Sequence, residues 1–151
     1  MSSRDRIISD SPERTEELAA AFAASLNPGD WVGLSGPLGA GKTVWARGVA
    51  RALGITEHIA SPTYNLVHVY QGRLRLCHID LYRVRSAGEM MDFGLDAYDD
   101  GETVILVEWA DKLADFDLPF HWKIDFARTG ECERVITVRK PVFPDLGRRP
   151  A

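Results

Sequence analysis

The sequence predicts a three-layer α/β fold, with helices over a mainly parallel central sheet and antiparallel edge strands. Three observations carry that expectation. The run Gly36–Thr43 reads Gly-Pro-Leu-Gly-Ala-Gly-Lys-Thr and satisfies G-x-x-x-x-G-K-[ST], a spelling that leaves backbone N–H groups open to phosphate oxygens. The short apolar run Trp31-Val32-Gly33-Leu34 precedes it, and Ala46, Val49, Ala50 and Leu53 follow at the spacing of one helix face. Thr103–Glu108 reads as a second strong strand, with four apolar residues, Val104–Val107, before the acid. Strand, glycine loop and helix in that order form a P-loop NTPase-like unit, and such units are built on parallel sheets.

The remaining elements follow in order. Arg4–Ser9 reads as a short edge strand around Ile7 and Ile8. Ser11-Pro12-Glu13 and Thr15-Glu16-Glu17 offer a capping oxygen, a first-turn proline and early acids, so a helix begins there. Its apolar face is Leu18, Phe22 and Leu26, and its end falls near Asn27. Gly54 stops the helix after the glycine loop. Ser61-Pro62-Thr63-Tyr64 reads as an irregular polar segment. Leu66–Tyr70 and Arg73–Asp80 read as strands joined by a tight turn at Gln71-Gly72. Ser86–Tyr98 is helical or irregular, and Ala110–Leu113 a single helical turn. Trp122–Phe126 and Arg134–Val138 form a late strand pair that supplies antiparallel edges. Residues 1–143 thus read as one P-loop ATPase domain, and 144–151, rich in Pro, Gly and Arg, as a disordered tail.

A chain of 151 residues can bury about two-thirds of its unfolded surface in one domain. With 18 basic and 22 acidic side chains its net charge is −4, which argues against gripping nucleic acid directly. Cys77 and Cys132, the 2 cysteines, make neither a disulfide framework nor a zinc spacing, and a reducing compartment is expected. No apolar stretch approaches a membrane span, and the polar start is not a signal peptide. A cytoplasmic location and no membrane partner follow as expectations.

The loop fixes the first site residues. Gly36, Leu38, Gly39, Ala40, Gly41, Lys42, Thr43 and Val44 are expected to bind the nucleotide, with Lys42 charging the outer phosphates and the Thr43 hydroxyl a Mg²⁺ ligand. A loop of this kind needs an acid at the carboxyl end of a nearby strand. Glu108 and Asp80 both qualify, and either can bind the metal, hold a metal-bound water or orient the attacking water. Thr63 is a candidate sensor of the terminal phosphate, against the plainer reading of turn chemistry around Pro62. Arg83 and Arg85 can stabilise phosphoryl charge or simply line the surface. His58, His68, His78 and His121 show no metal-ligand spacing, and the tryptophans read as core. No Asn-Lys-x-Asp guanine-reading motif is present, so ATP is the expected nucleotide.

Together these residues resemble the TsaE (YjeE) family. The blocks that carry the resemblance are Gly29-Asp30, Leu38–Thr43, Ser61-Pro62-Thr63-Tyr64, His78-Ile79-Asp80-Leu81-Tyr82-Arg83 and Val107-Glu108-Trp109. The resemblance runs from about Thr15 to Val138. The family often has an acid where Pro37 stands and a proline where Ala110 stands. The resemblance implies a weak Mg²⁺-dependent ATPase required for threonylcarbamoyladenosine (t6A) in tRNA. It further implies action on the partners TsaB and TsaD, with tRNA met only through that complex. In this reading Thr43 and Glu108 hold the metal, Asp80 helps place water or metal, and Thr63 reports the terminal phosphate, so that Asp80, Glu108 and Thr63 form the catalytic group. Two alternatives remain: a small-molecule kinase, which needs an acceptor pocket and a lid, and a non-catalytic nucleotide-gated scaffold.

Overall fold

In the computed structural model, which describes residues 4–59, 67–85, 89, 94–113 and 120–140, the apolar runs pair as strands of a single seven-stranded sheet. Along the chain these are β1 (Arg4–Ser9), β2 (Trp31–Ser35), β3 (Val67–Tyr70), β4 (Leu76–Asp80), β5 (Val104–Glu108), β6 (Trp122–Arg128) and β7 (Arg134–Arg139). Across the sheet the order is β1-β7-β6-β2-β5-β4-β3. β6, β2, β5 and β4 run parallel, while β7, β1 and β3 add antiparallel pairs outside them. The expected mainly parallel sheet with antiparallel edges is therefore what forms. Thr63 with its Ser-Pro-Thr segment, much of Ser86–Tyr98 and the 144–151 tail lie outside the described residues.

β4 and β5 are buried along their whole length, and so need a cover on both faces. Two helices, α1 (Pro12–Ala23) and α2 (Lys42–Ala52), lie on one face. Phe22 packs edge-on to Trp122 at a centroid distance of 5.1 Å and tilted against Trp45 at 5.5 Å. These rings share a core with Val32, Leu34, Leu76, Leu106 and Ile124. On the opposite face Trp31, Ile79, Ile105 and Val107 are buried with Val84, Ala110 and Phe120. This third layer includes the short 3₁₀ helix Ala110–Leu113; another, Leu95–Ala97, lies between β4 and β5 in the chain.

Three local differences from the sequence reading have physical reasons. α1 ends at Ala23 rather than near Asn27, because the chain tightens into i→i+3 bonds, Ser25 N to Phe22 O at 2.9 Å and Leu26 N to Ala23 O at 3.1 Å. The β3–β4 connection is wider than a tight turn: Arg73 N bonds Leu53 O at the end of α2, and the Arg75 side chain reaches Thr103 and Asp100 while its carbonyl accepts the Val104 N–H at the start of β5. β6 is not an edge strand but an interior one beside β2, with Trp122, Ile124 and Phe126 buried. No helix among the described residues is long and apolar enough to cross a membrane.

Candidate functional site

The parallel strands β2, β4 and β5 end on the same side of the sheet, which is where open α/β sheets form their ligand crevices. β2 leads into the glycine loop and the loop into α2. Gly36 is pressed against β6, where a Cβ would stand 2.6 Å from the Phe126 carbonyl oxygen. Gly39 and Gly41 take φ of +76° and +105°, a region that favours glycine. The first α2 bond runs from Trp45 N to Gly41 O at 2.9 Å. The helix thus presents the unpaired amides and positive end of its first turn to the loop. Ala40 is an exception within the loop, since its N–H donates to Pro37 O at 3.2 Å.

A cavity of about 260 Å³ opens here, lined by the loop, Lys42, Thr43, Asp80, Tyr82, Glu108 and Trp109. Lys42 Nζ donates to the carbonyls of Gly36 at 2.6 Å and Pro37 at 2.8 Å. It also stands 3.9 Å from the centroid of the Trp109 ring, a cation–π distance. Burial pulls its pKa below the ordinary lysine value, and the carboxylates of Glu108, Asp111 and Asp80 oppose that shift. Pro37, lacking an N–H, contributes its carbonyl. Trp109 carries φ +62°, which turns its side chain away from the direction of β5 and over the loop; strain of this kind gathers at functional sites.

The structure joins Thr43 and Glu108 across the chain: Thr43 Oγ1 donates to Oε1 at 3.0 Å and lies 3.1 Å from Oε2. Asp80 is the register partner of Glu108 on the neighbouring strand and accepts the Tyr82 N–H at 2.9 Å. Arg83 and Arg85 are exposed and outside the cavity lining. Leu38 is 71% exposed at its mouth. Gly29 and Asp30 serve the opposite end of the sheet, where Asp30 accepts from Asn27 N and Trp122 Nε1. Trp31, Trp45 and Trp122 are buried core residues, as read from the sequence.

Three residues to which the sequence reading gave no site role stand at the cavity or directly behind it. Trp109 and Tyr82 line the cavity with their ring centroids 5.0 Å apart and their planes tilted at 43°. His78 is fully buried, and its Nε2 lies 2.6 Å from Glu108 Oε2. A usable signal existed for His78: it stands two residues before Asp80, and alternate residues of a strand share a face.

A glycine loop between a buried strand and a helix, facing acids at the ends of two neighbouring parallel strands, defines a P-loop NTPase-like α/β protein. Residues 9–136 match the family described as "Threonylcarbamoyl adenosine biosynthesis protein TsaE", and the chain belongs to that family, one of t6A biosynthesis in tRNA. It is 44% identical over 128 residues to the TsaE protein of Bacillus subtilis, covering 83% of this chain and 79% of that one. The Treponema pallidum TsaE protein is 40% identical over 109 residues, covering 72% and 81% of the two chains. The crystal structure of Bacillus subtilis YdiB superposes with a TM-score of 0.74 at 38% identity, over 91% of this chain and 86% of that one.

Proposed function

We propose that this TsaE-family chain is a Mg²⁺-dependent ATPase of the t6A pathway, acting on a TsaB–TsaD complex. The observation that supports it best is the Thr43–Glu108 hydrogen bond directly beside Lys42 at the glycine loop. With its proton given to Glu108, the Thr43 hydroxyl keeps its lone pairs for a cation.

The residues present fit the cofactors. At Gly39 a Cβ would meet nothing within 4 Å among the described residues, so they leave open space beside the loop for a phosphate to approach. Thr43, Glu108 and Asp80 are hard oxygen donors, which suit Mg²⁺. Among the described residues no cluster of three or more His, Cys, Asp or Glu could hold a metal by itself. That agrees with a cation that arrives on the nucleotide and keeps several waters. When bound, Mg²⁺ neutralises charge on the phosphoryl oxygens.

The protein's own contributions follow from position. The loop amides and Lys42 hold the phosphates, and Thr43 with Glu108 forms the metal-facing limb. Asp80, beside Glu108 and at the cavity wall, orients water for attack on the terminal phosphate. Thr63, which lies outside the described residues, is assigned the reporting of that phosphate by the family resemblance alone. The acidic net charge of −4 supports contact with tRNA through protein partners rather than by direct grip.

The test is release of inorganic phosphate from Mg-ATP, alone and with TsaB–TsaD, paired with mass analysis of tRNA nucleosides after depletion. ATP-dependent phosphate release and loss of t6A are expected. Phosphate appearing on an acceptor instead of water would identify a kinase. Full t6A with a hydrolysis-dead variant would identify a nucleotide-gated scaffold.

A further inference from the structure

Glu108 is only 2% exposed, yet its carboxylate is held from two sides. Thr43 takes one side, and His78 Nε2, 2.6 Å from Oε2, takes the other. Since an ionised carboxylate only accepts hydrogen bonds, Nε2 is the donor and carries the ring proton. His78 Nδ1 is buried and has no hydrogen-bond partner among the described residues, so a proton there would lack an acceptor among them. Backbone pairing fixes the ring: His78 and Leu106 are register partners, two residues ahead of Asp80 and Glu108. All four therefore project from the face that carries α2.

We propose that His78 is a positioning residue for the metal limb of the site. It pins the Glu108 carboxylate in the rotamer that accepts the Thr43 proton, and thereby turns the Thr43 lone pairs toward the cation of a metal–nucleotide complex. Without the imidazole donor the carboxylate is free to rotate away, and the Thr43 hydroxyl loses its fixed direction. The inference rests on the nucleotide reading of the glycine loop and assigns a residue that touches neither nucleotide nor metal.

The test compares wild type, His78→Leu and His78→Gln in calorimetric titrations with ATP, once with Mg²⁺ and once with a chelator. Gln can place an N–H near the position of Nε2; Leu cannot. Expected for His78→Leu is an affinity for Mg-ATP about 10- to 100-fold weaker, the usual cost of losing an outer-shell partner. Its affinity for metal-free ATP should match wild type, and His78→Gln should recover most of the loss. An unchanged Mg²⁺ dependence in His78→Leu, or an equal fall with and without metal, would overturn the proposal. If His78→Leu does not fold, ring nitrogen NMR of the wild type decides: an Nε2–H tautomer supports the bond, and an Nδ1–H tautomer overturns it. A wild type that gains no ATP affinity from Mg²⁺ overturns the metal role. The same spectrum, recorded without nucleotide, then shows whether the fault lies in the nucleotide reading or in the His78–Glu108 bond.

Discussion

Asp80 and Glu108 are register partners at the ends of adjacent parallel strands, yet they bond to different parts of the protein. Glu108 accepts from Thr43 on the glycine-loop helix and from His78 inside the sheet. Asp80 accepts from the backbone of Tyr82, at the start of the next connection. One acid is tied to Thr43, on the limb proposed to face the metal, and the other lines the cavity beside it. Glu108→Ala should therefore weaken Mg-ATP binding about 10- to 100-fold. Asp80→Asn should bind Mg-ATP like wild type and hydrolyse it about 10²- to 10⁴-fold more slowly. Binding titrations with single-turnover hydrolysis separate the two, and the reverse pattern would exchange the roles.

Lys42 couples the loop to Trp109. A bound phosphate competes for the ammonium now held by the Gly36 and Pro37 carbonyls and the indole face. Lys42→Ala should weaken ATP binding at least about tenfold, the loss of one charge-assisted bond. In wild type, nucleotide should shift Trp109 emission, and Trp109→Phe should abolish that shift although Trp31, Trp45 and Trp122 remain. An ATP-induced signal that survives Trp109→Phe would disprove the coupling.

Gly48 sets the spacing of α1 and α2. A Cβ there would stand 2.3 Å from the Glu16 carbonyl oxygen and 2.6 Å from the Ala19 Cβ, so the helices must part to admit it. Gly48→Ala should lower stability by about 1–3 kcal/mol through overpacking, even though alanine is the better helix former. Urea unfolding checks this; an unchanged midpoint would mean the helix pair yields at no cost.

Asp100 makes stability depend on acid. The Glu102 and Thr103 backbone N–H groups, donating at 2.9 and 2.8 Å, with the Thr103 hydroxyl and Arg75 beyond them, hold its pKa down to about 2. The folded value lies below the unfolded one of about 3.9. Its contribution is thus complete above about pH 4 and vanishes as pH falls toward 2. Asp100→Ala should lower the melting temperature at pH 7, with the gap closing through that window. A gap that persists at pH 2 would mean the loss is one of packing and not of charge.

The two cysteines should differ sharply. Burial pushes the Cys77 thiol up to about 12, whereas Cys132 is exposed. Since the thiolate is the nucleophile, a thiol reagent at pH 8 should label Cys132 in the native protein and Cys77 only after unfolding. Mass spectrometry of the labelled peptides reads this directly; fast native labelling of Cys77 would contradict its burial.

What the sequence determined by itself is local chemistry and period. Gly36–Thr43 declared a loop that admits no bulky backbone neighbour. Trp31–Leu34 and Val104–Val107 declared strands, and Ser11-Pro12 declared a helix start, with Ser11 now accepting the Arg14 N–H at 3.0 Å. These follow from residues near one another in the chain, as does the placing of acids at strand ends. Only tertiary structure could decide matters that depend on register across many residues. The β4–β5 pairing set Asp80 against Glu108, and the resulting side-chain contacts gave them different partners. The same pairing converted His78 from a scattered histidine into the support of a buried carboxylate. Pairing between β2 and β6 moved a strand from the expected edge into the sheet. Local pattern tells which groups are present and which face they share; long-range hydrogen bonding tells which groups meet.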